Sequence, residues 1–299
     1  MDKLKSLSKI KDIYQQGGNV IEYLKSIGNS MSNTTEDIMI SYDFQAGSYI
    51  KYAEQKTEYI NSYTKCIANV IAKLGQFSSI LEAGVGEATT LGNLICNTTH
   101  MYNNAYGFDL SWSRIKYAKH YLSKLNINNV TLVTGDLFAS PFKSNSIDIV
   151  YTSHSIEPNG GKEREAVKEL YRITKRYLIL LEPSFEFATD EGRYRMLKNG
   201  YITNLFNTVI ELGYKVVEHR LFDMYANPLN PTGLIVIEKL SNADEPTNAL
   251  ACPITNTPLQ LVGNAYYSKE AFLAYPIIDE IPCLVAQNAI IATHLLTKI

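Results

Sequence analysis

Between Ser78 and Leu240 the chain alternates short apolar runs with amphipathic stretches, and this alternation limits its folds more than any other feature. Residues 78–84, 104–110, 130–136, 146–152 and 177–183 read as strands that end near glycine, acidic or turn residues. The stretches 87–97, 111–125, about 161–174 and about 199–212 read as helices; Ser111 is placed to cap the second. Strands separated by helices predict a parallel sheet covered on both faces. Two last runs, 215–222 and 232–240, follow each other without a helix, so one of them is expected to be antiparallel. The count is seven strands in an α/β sheet.

The flanks differ from this centre. Leu4, Leu7, Ile10, Ile13 and Tyr14, then Val20, Ile21, Leu24 and Ile27, repeat every three to four residues and break at Gly17-Gly18. This predicts an N-terminal amphipathic helical pair packed on the body, rather than on a membrane surface. A polar loop from Gly28 to Asp37 leads into the aromatic-rich segment 41–50, and helical periodicity returns over 55–74, closed by Gly75. The stretch 241–249 is polar, contains Pro246 and reads as a linker, and the remaining residues show short apolar runs broken by prolines, as in a small β-rich unit.

Composition narrows the class. The 299 residues carry 28 Lys and Arg against 30 Asp and Glu, a formal charge of −2. That balance argues against a strongly cationic, nucleic-acid-binding surface. No run approaches the roughly 18–20 apolar residues of a membrane-spanning helix, and the N-terminal stretch lacks the apolar core of a secretory signal. Cys66, Cys96, Cys252 and Cys283 form no C-x-x-C pair. A reducing cytoplasm is the expected location. The 21 tyrosines are compatible with an aromatic recognition surface or with codon bias.

The chemistry begins at Ile80-Leu81-Glu82-Ala83-Gly84-Val85-Gly86-Glu87. A strand entering a Gly-x-Gly turn before a helix lets backbone amides approach a ligand. A dinucleotide site wants a third glycine where this chain has Thr89, and Glu82 would repel a pyrophosphate but suits an ammonium. Asp109 ends the next strand, where a carboxylate can accept two ribose hydroxyls. Gly135-Asp136-Leu137 ends the third, where the acid can accept from an adenine amino group and the leucine can pack on the ring. Three acids at successive strand ends, behind one Gly-x-Gly turn, face a single crevice and point to an adenosyl ligand.

The segments ILEAGVGEAT, GFDLS, TGDLFASPFKSNSIDIV and YTSHSIEP resemble, in order and spacing, the motifs of class I S-adenosylmethionine-dependent methyltransferases over roughly residues 45–240. The resemblance implies a seven-stranded Rossmann-like methyltransferase sheet with an N-terminal helical lid. It implies S-adenosyl-L-methionine as cofactor, with Gly84 and Gly86 at the methionine part, Glu82 ordering water or amine contacts near it, Asp109 on the ribose, and Asp136 with Leu137 on the adenine. Leu110 and Ser153 complete the strand-end set, and Tyr42, Gln45 and Tyr49 are candidates to close over the cofactor. The loop 152–161 lies where the acceptor is met in this family; His154, Glu157 and Glu182 are the candidate catalytic or acceptor contacts. His154 is the one histidine of five at such a strand end, His100 preceding a strand. Arg193, Tyr194, Arg195 and Tyr201 lie in a following insertion that could bind an anionic or sugar-like substrate or be plain surface loop.

The tail, LACPITNTPLQL with AYPIIDEIPCLV, resembles the small activator subunits of tRNA and protein methyltransferases. That family often has a C-P-x-C pair; here Thr255 replaces the second cysteine and Glu280 the glycine before I-P, so no metal is expected. The expected organisation is a lid over 1–44, a catalytic domain over 45–243 and an activator-like module over 249–299. The expected acceptor is a small molecule or a sugar-type glycan, nucleic acid being disfavoured, and a homodimer is compatible with the sequence. The rival readings are a tRNA or protein methyltransferase, an NAD(P)-dependent oxidoreductase, and a non-catalytic scaffold that binds the cofactor.

Overall fold

A computed structural model describes residues 3–28, 33–98, 102–243, 246 and 248–297; His100 and part of the expected 28–37 loop lie outside them. After a short 3₁₀ turn, helices α1 (Leu7–Gln15) and α2 (Val20–Gly28) are separated at Gly17-Gly18 as the periodicity predicts. Helices α3 (Thr35–Phe44), α4 (Ser48–Gln55) and α5 (Thr57–Leu74) follow. The expected polar loop is shorter than the sequence suggests. Thr34 and Asp37 form a capping box that starts α3 inside it, the Thr34 hydroxyl accepting from the Asp37 amide at 3.2 Å.

The centre contains β1 (Ser79–Ala83), α6 (Thr89–Asn97), β2 (Asn104–Asp109), α7 (Trp112–Lys124), β3 (Val130–Thr134), β4 (Ile147–Ser153), α8 (Glu163–Ile173) and β5 (Thr174–Pro183). Helices α9 (Asp190–Asn199) and α10 (Leu205–Glu211) lead to β6 (Lys215–Leu221) and β7 (Thr232–Glu238). These seven strands form one sheet in the order β3-β2-β1-β4-β5-β7-β6, with β7 antiparallel to both neighbours. The expected 199–212 helix begins only at Leu205, and α9 forms in the insertion before it, for which no helix is expected. The Thr189 hydroxyl caps α9 by accepting from Gly192, and Gly200 ends it at a left-handed φ of 68°.

Strand alternation sorts the side chains into two cores. Leu81, Val150, Leu178, Leu180, Ile235 and Ile237 face α8 and α10. Ile80, Ile149, Tyr151, Ile179, Leu181, Leu234 and Val236 face α5, α6 and α7. Each fully buried Leu or Ile contributes roughly 1.5–3 kcal/mol relative to exposure. The N-terminal helices close a third, small core of Ile10, Val20, Leu24 and Ile40.

The tail forms β8 (Gln260–Val262), β9 (Ala265–Ser268), β10 (Leu273–Ile278), β11 (Ile281–Pro282) and β12 (Ile290–Ile291), which make a second sheet. Leu250, Cys252, Leu259, Tyr275 and Leu284 join the α8 core, so this sheet shares apolar interior with the first. Its neighbouring backbone also covers the outer edge of β3: Cys283 bridges Thr134 in parallel and Leu250 bridges Phe142. The β10–β11 turn uses Asp279 and Glu280 at φ 50° and 59°, where glycine is easier. Their side chains meet Lys116 at 3.0 Å and Lys119 at 2.9 Å on α7, an exposed compensation of modest worth. Cys252 is buried, with Sγ 3.3 Å from the Tyr275 hydroxyl. Among the described residues no helix is long and apolar enough to cross a membrane, and no three His, Cys, Asp or Glu cluster in metal-binding range.

Candidate active site

At the carboxyl end of β1 the backbone turns sharply through Gly84 (φ 72°) and Gly86 (φ 53°) before α6. A Cβ on Gly84 would stand 2.2 Å from the Ser155 Cβ, so only glycine lets the post-β4 loop cross here. The Gly86 amide donates to Asp109 Oδ2 at 3.0 Å, and the Ser111 amide donates to Oδ1 at 2.9 Å. Burial pushes the Asp109 carboxyl up, opposed by the Arg114 charge beside it. Asp136 accepts from the Phe138 amide at 3.0 Å, and burial raises it too. Each acid is therefore aimed by backbone while retaining lone pairs for a ligand.

These groups line one cavity of about 580 Å³ at the carboxyl ends of β1–β4. Glu82, Gly84, Gly86, Asp109, Leu110, Asp136, Leu137 and Ser153 are on its wall, as are Tyr42, Gln45 and Tyr49 from the α3–α4 segment and His154 and Glu157 from the post-β4 loop. Glu82 is buried and accepts from the Tyr151 hydroxyl at 2.9 Å; burial outweighs that bond and pushes it up to about 8.

Glu182 is placed elsewhere. It lies beneath the post-β4 loop and is not among the lining residues. Its carboxylate accepts the amides of Ser155, Ile156 and Glu157 at 3.0, 3.1 and 3.0 Å, and burial raises it to about 7. A strand-end acid expected at the acceptor thus holds the loop that carries the other two candidates. His154, at a left-handed φ of 57°, has both ring nitrogens engaged, Nδ1 with Glu157 Oε2 at 2.7 Å and Nε2 with Thr232 Oγ1 at 2.8 Å. Burial opposes its charging, but the bond and charge of Glu157, with Glu182 behind, hold its pKa above the usual value. The other Glu157 oxygen accepts from Asn230 Nδ2 at 3.0 Å. Arg193 is spent on the Phe185 and Glu186 carbonyls; Tyr194 is 69% exposed, and neither Arg195 nor Tyr201 lines the cavity.

Several residues were not singled out by the sequence. Tyr52, Tyr59 and Tyr63 line the cavity, and Tyr63 meets the Ser153 hydroxyl at 2.9 Å. Glu87 accepts from the amides of Gly47, Tyr49 and Ile50 at 2.9, 3.3 and 2.8 Å, capping α4 from across the cavity. Asp43 returns the favour by accepting from the Ser111 hydroxyl and the Ser113 amide and hydroxyl at 2.7, 3.1 and 2.9 Å. Gly47 offers no side-chain cap, and that deficit is the one local sign that a distant acceptor is needed.

Residues 80–177 match the family model described as a methyltransferase domain. Over that stretch the chain is similar to a methyltransferase domain. The glycine turn and the strand-end carboxylates that line the cavity at the carboxyl ends of β1–β3 fall within or beside that stretch. No curated protein matches the chain. Among solved structures it is similar to a chain of the complex between the Haloferax volcanii Trm112 methyltransferase activator and a methyltransferase, at 15% identity and TM-score 0.52, over 67% of this chain and 97% of that one. It is also similar to magnesium protoporphyrin IX methyltransferase from Synechocystis PCC 6803 with bound SAH, at 14% identity and TM-score 0.48, over 78% and 99%. At such identity the first likeness is one of fold, consistent with the Rossmann-like seven-stranded sheet.

Proposed function

We propose that the domain methylates a small-molecule or sugar-type acceptor that enters between the tyrosine-lined α3–α5 wall and the post-β4 loop. The observation that carries this reading is the charge of the cavity wall. Among the described lining residues there are five carboxylates, Glu82, Glu87, Asp109, Asp136 and Glu157, and Arg114 is the only lysine or arginine. This negative wall would repel a phosphate-bearing acceptor and would not oppose a neutral hydroxyl or an amine.

The cofactor supplies an activated methyl group, and this chain's residues bind, orient and dry the site. Asp109 accepts the ribose hydroxyls, Asp136 with Leu137 takes the adenine, and Glu82 faces the methionine amine. Tyr42, Gln45 and Tyr49 cover the ligand from the lid. For a hydroxyl acceptor, His154 Nε2 receives the proton once the Thr232 hydroxyl gives way, and Glu157 stabilises the imidazolium through Nδ1. For an amine already neutral, the same pair serves only to position the loop.

Calorimetry with S-adenosylhomocysteine tests the assignment: Asp109→Ala is expected to weaken binding by about 1–3 kcal/mol through lost charge-assisted hydrogen bonds. Unchanged affinity would remove Asp109 from the ribose.

The division into a lid (1–44), a catalytic part (45–243) and an activator-like module (249–299) belongs to the same proposal. The shared core and the covered β3 edge support a stabilising role for the module. The neighbour solved with an activator favours a second reading, a tRNA or protein acceptor. Binding of tRNA with a steep salt slope would support that reading and displace the first. Removing residues 246–299 should leave a chain that aggregates or melts lower by ten degrees or more, on the order of several kcal/mol of lost core. A stable, fully active truncation would dismiss the module from the enzyme.

A further inference from the structure

Arg114 projects from the first turn of α7, is 3% exposed and lines the cavity. Its Nε donates to the Tyr42 carbonyl at 3.0 Å, and its guanidinium lies 4.6 Å from the Tyr42 ring centre and 4.5 Å from that of Tyr49. Its Nη1 would stand 3.5 Å from a Cβ placed on Gly86. Its Nη2 is buried and has no hydrogen-bond partner. A guanidinium does not give up its proton in a protein, so a charged donor is left out of water and unpaired unless a ligand meets it.

The charge inventory identifies the ligand group. Asp109 and Asp136 suit hydroxyls and an exocyclic amine, Glu82 suits an ammonium, and Glu87 is consumed by three amides. S-adenosylmethionine has one anionic group, its carboxylate, and Arg114 is the one lysine or arginine among the described lining residues. We propose that Arg114 anchors the carboxylate of the cofactor's methionine part, on the lid side of the Gly-x-Gly turn. The two tyrosine rings hold the guanidinium plane in place before the ligand arrives, so little side-chain entropy is lost on binding. Tyr42 lies on α3 and Tyr49 on α4, so the carboxylate, Arg114 and both helices become one assembly. The residue that reads the carboxylate therefore also fastens α3 and α4 over the cavity.

This inference rests on the cofactor reading of the cavity, and three ligands separate the two. Calorimetry would compare S-adenosylhomocysteine, its carboxamide and 5′-methylthioadenosine, which lacks the amino-acid part. The wild-type protein is expected to prefer the free carboxylate over the carboxamide on the order of 10- to 100-fold. Arg114→Met should abolish that preference and Arg114→Lys restore part of it, with methylthioadenosine affinity kept within about twofold, since it makes no contact with the fork. Equal wild-type affinity for the acid and the carboxamide overturns the proposal without any variant. A loss shared by S-adenosylhomocysteine and methylthioadenosine in Arg114→Met, alongside a retained preference for the acid, overturns it as well. Failure of the wild type to bind all three ligands instead brings down the cofactor reading itself.

Discussion

Glu87 and Glu182 are matched in chemistry and opposed in purpose. Each is a buried carboxylate that accepts three consecutive or near-consecutive backbone amides. Glu182 reaches up from β5 and fixes a loop of the sheet's own framework. Glu87 reaches out from the Gly-x-Gly turn and captures the start of α4, beside the cavity. The amides under Glu182 have nowhere to go if it is lost, because the loop is wedged over β4 and against Gly84. The amides held by Glu87 belong to the start of α4, whose Tyr49 is 45% exposed. One carboxylate thus ties a loop to the sheet, while the other ties α4 to the Gly-x-Gly turn.

Substitution should pull the pair apart. Glu182→Ala leaves three amides without an acceptor inside the protein and is expected to destabilise by about 3 kcal/mol or more in urea denaturation. Glu87→Ala should cost only about 1 kcal/mol of stability yet weaken S-adenosylhomocysteine about tenfold, because the start of α4 must then be ordered at the expense of binding. Equal stability losses would erase the distinction and make Glu87 another framework residue.

A third difference from an ordinary surface glutamate is in pH. Burial holds Glu82 up at about 8 and Glu182 at about 7, against about 4.5 for an ordinary glutamate. The folded protein keeps protons that the unfolded chain releases. Their stabilising contribution is therefore complete below about 4.5 and is lost as pH rises through about 7 and then about 8. His154, raised above its usual value, adds a loss of the same sign. Urea midpoints taken in steps should fall over this interval, and Glu82→Gln should flatten the last part, between pH 7 and 8, by up to about 1.4 kcal/mol per unit. An unchanged slope in that variant would show that Glu82 is already ionised in the folded protein.

Much of this frame was legible in the sequence because its signals are local. Alternation of apolar residues placed the seven strands, Ser111 announced the start of α7, and the final helix-free pair foretold the antiparallel β7. Glycines with neighbouring acids at strand ends marked Glu82, Gly84, Gly86, Asp109 and Asp136. Helix α9 was also locally signalled, by Thr189 before two acids and by Gly200 after the last turn, but that pattern was read as loop. Glu182 was misplaced for a different reason. An acid at a strand end looks the same whether its oxygens meet a ligand or three amides of the next loop.

The sequence by itself carried the order of the seven central strands and of most helices between them, and the acids at the strands' carboxyl ends. These follow from side-chain period and turn chemistry, which act over a few residues. Only the tertiary structure decided which buried acids are spent on backbone, that Arg114 is clasped between Tyr42 and Tyr49 with one nitrogen unpaired, and that the tail covers the β3 edge and shares the α8 core. Those outcomes depend on contacts between residues far apart in the chain, from Glu87 with Gly47 to Thr134 with Cys283. Closing such long loops is governed by packing and by the need to satisfy every buried polar group, neither of which leaves a local pattern in the sequence.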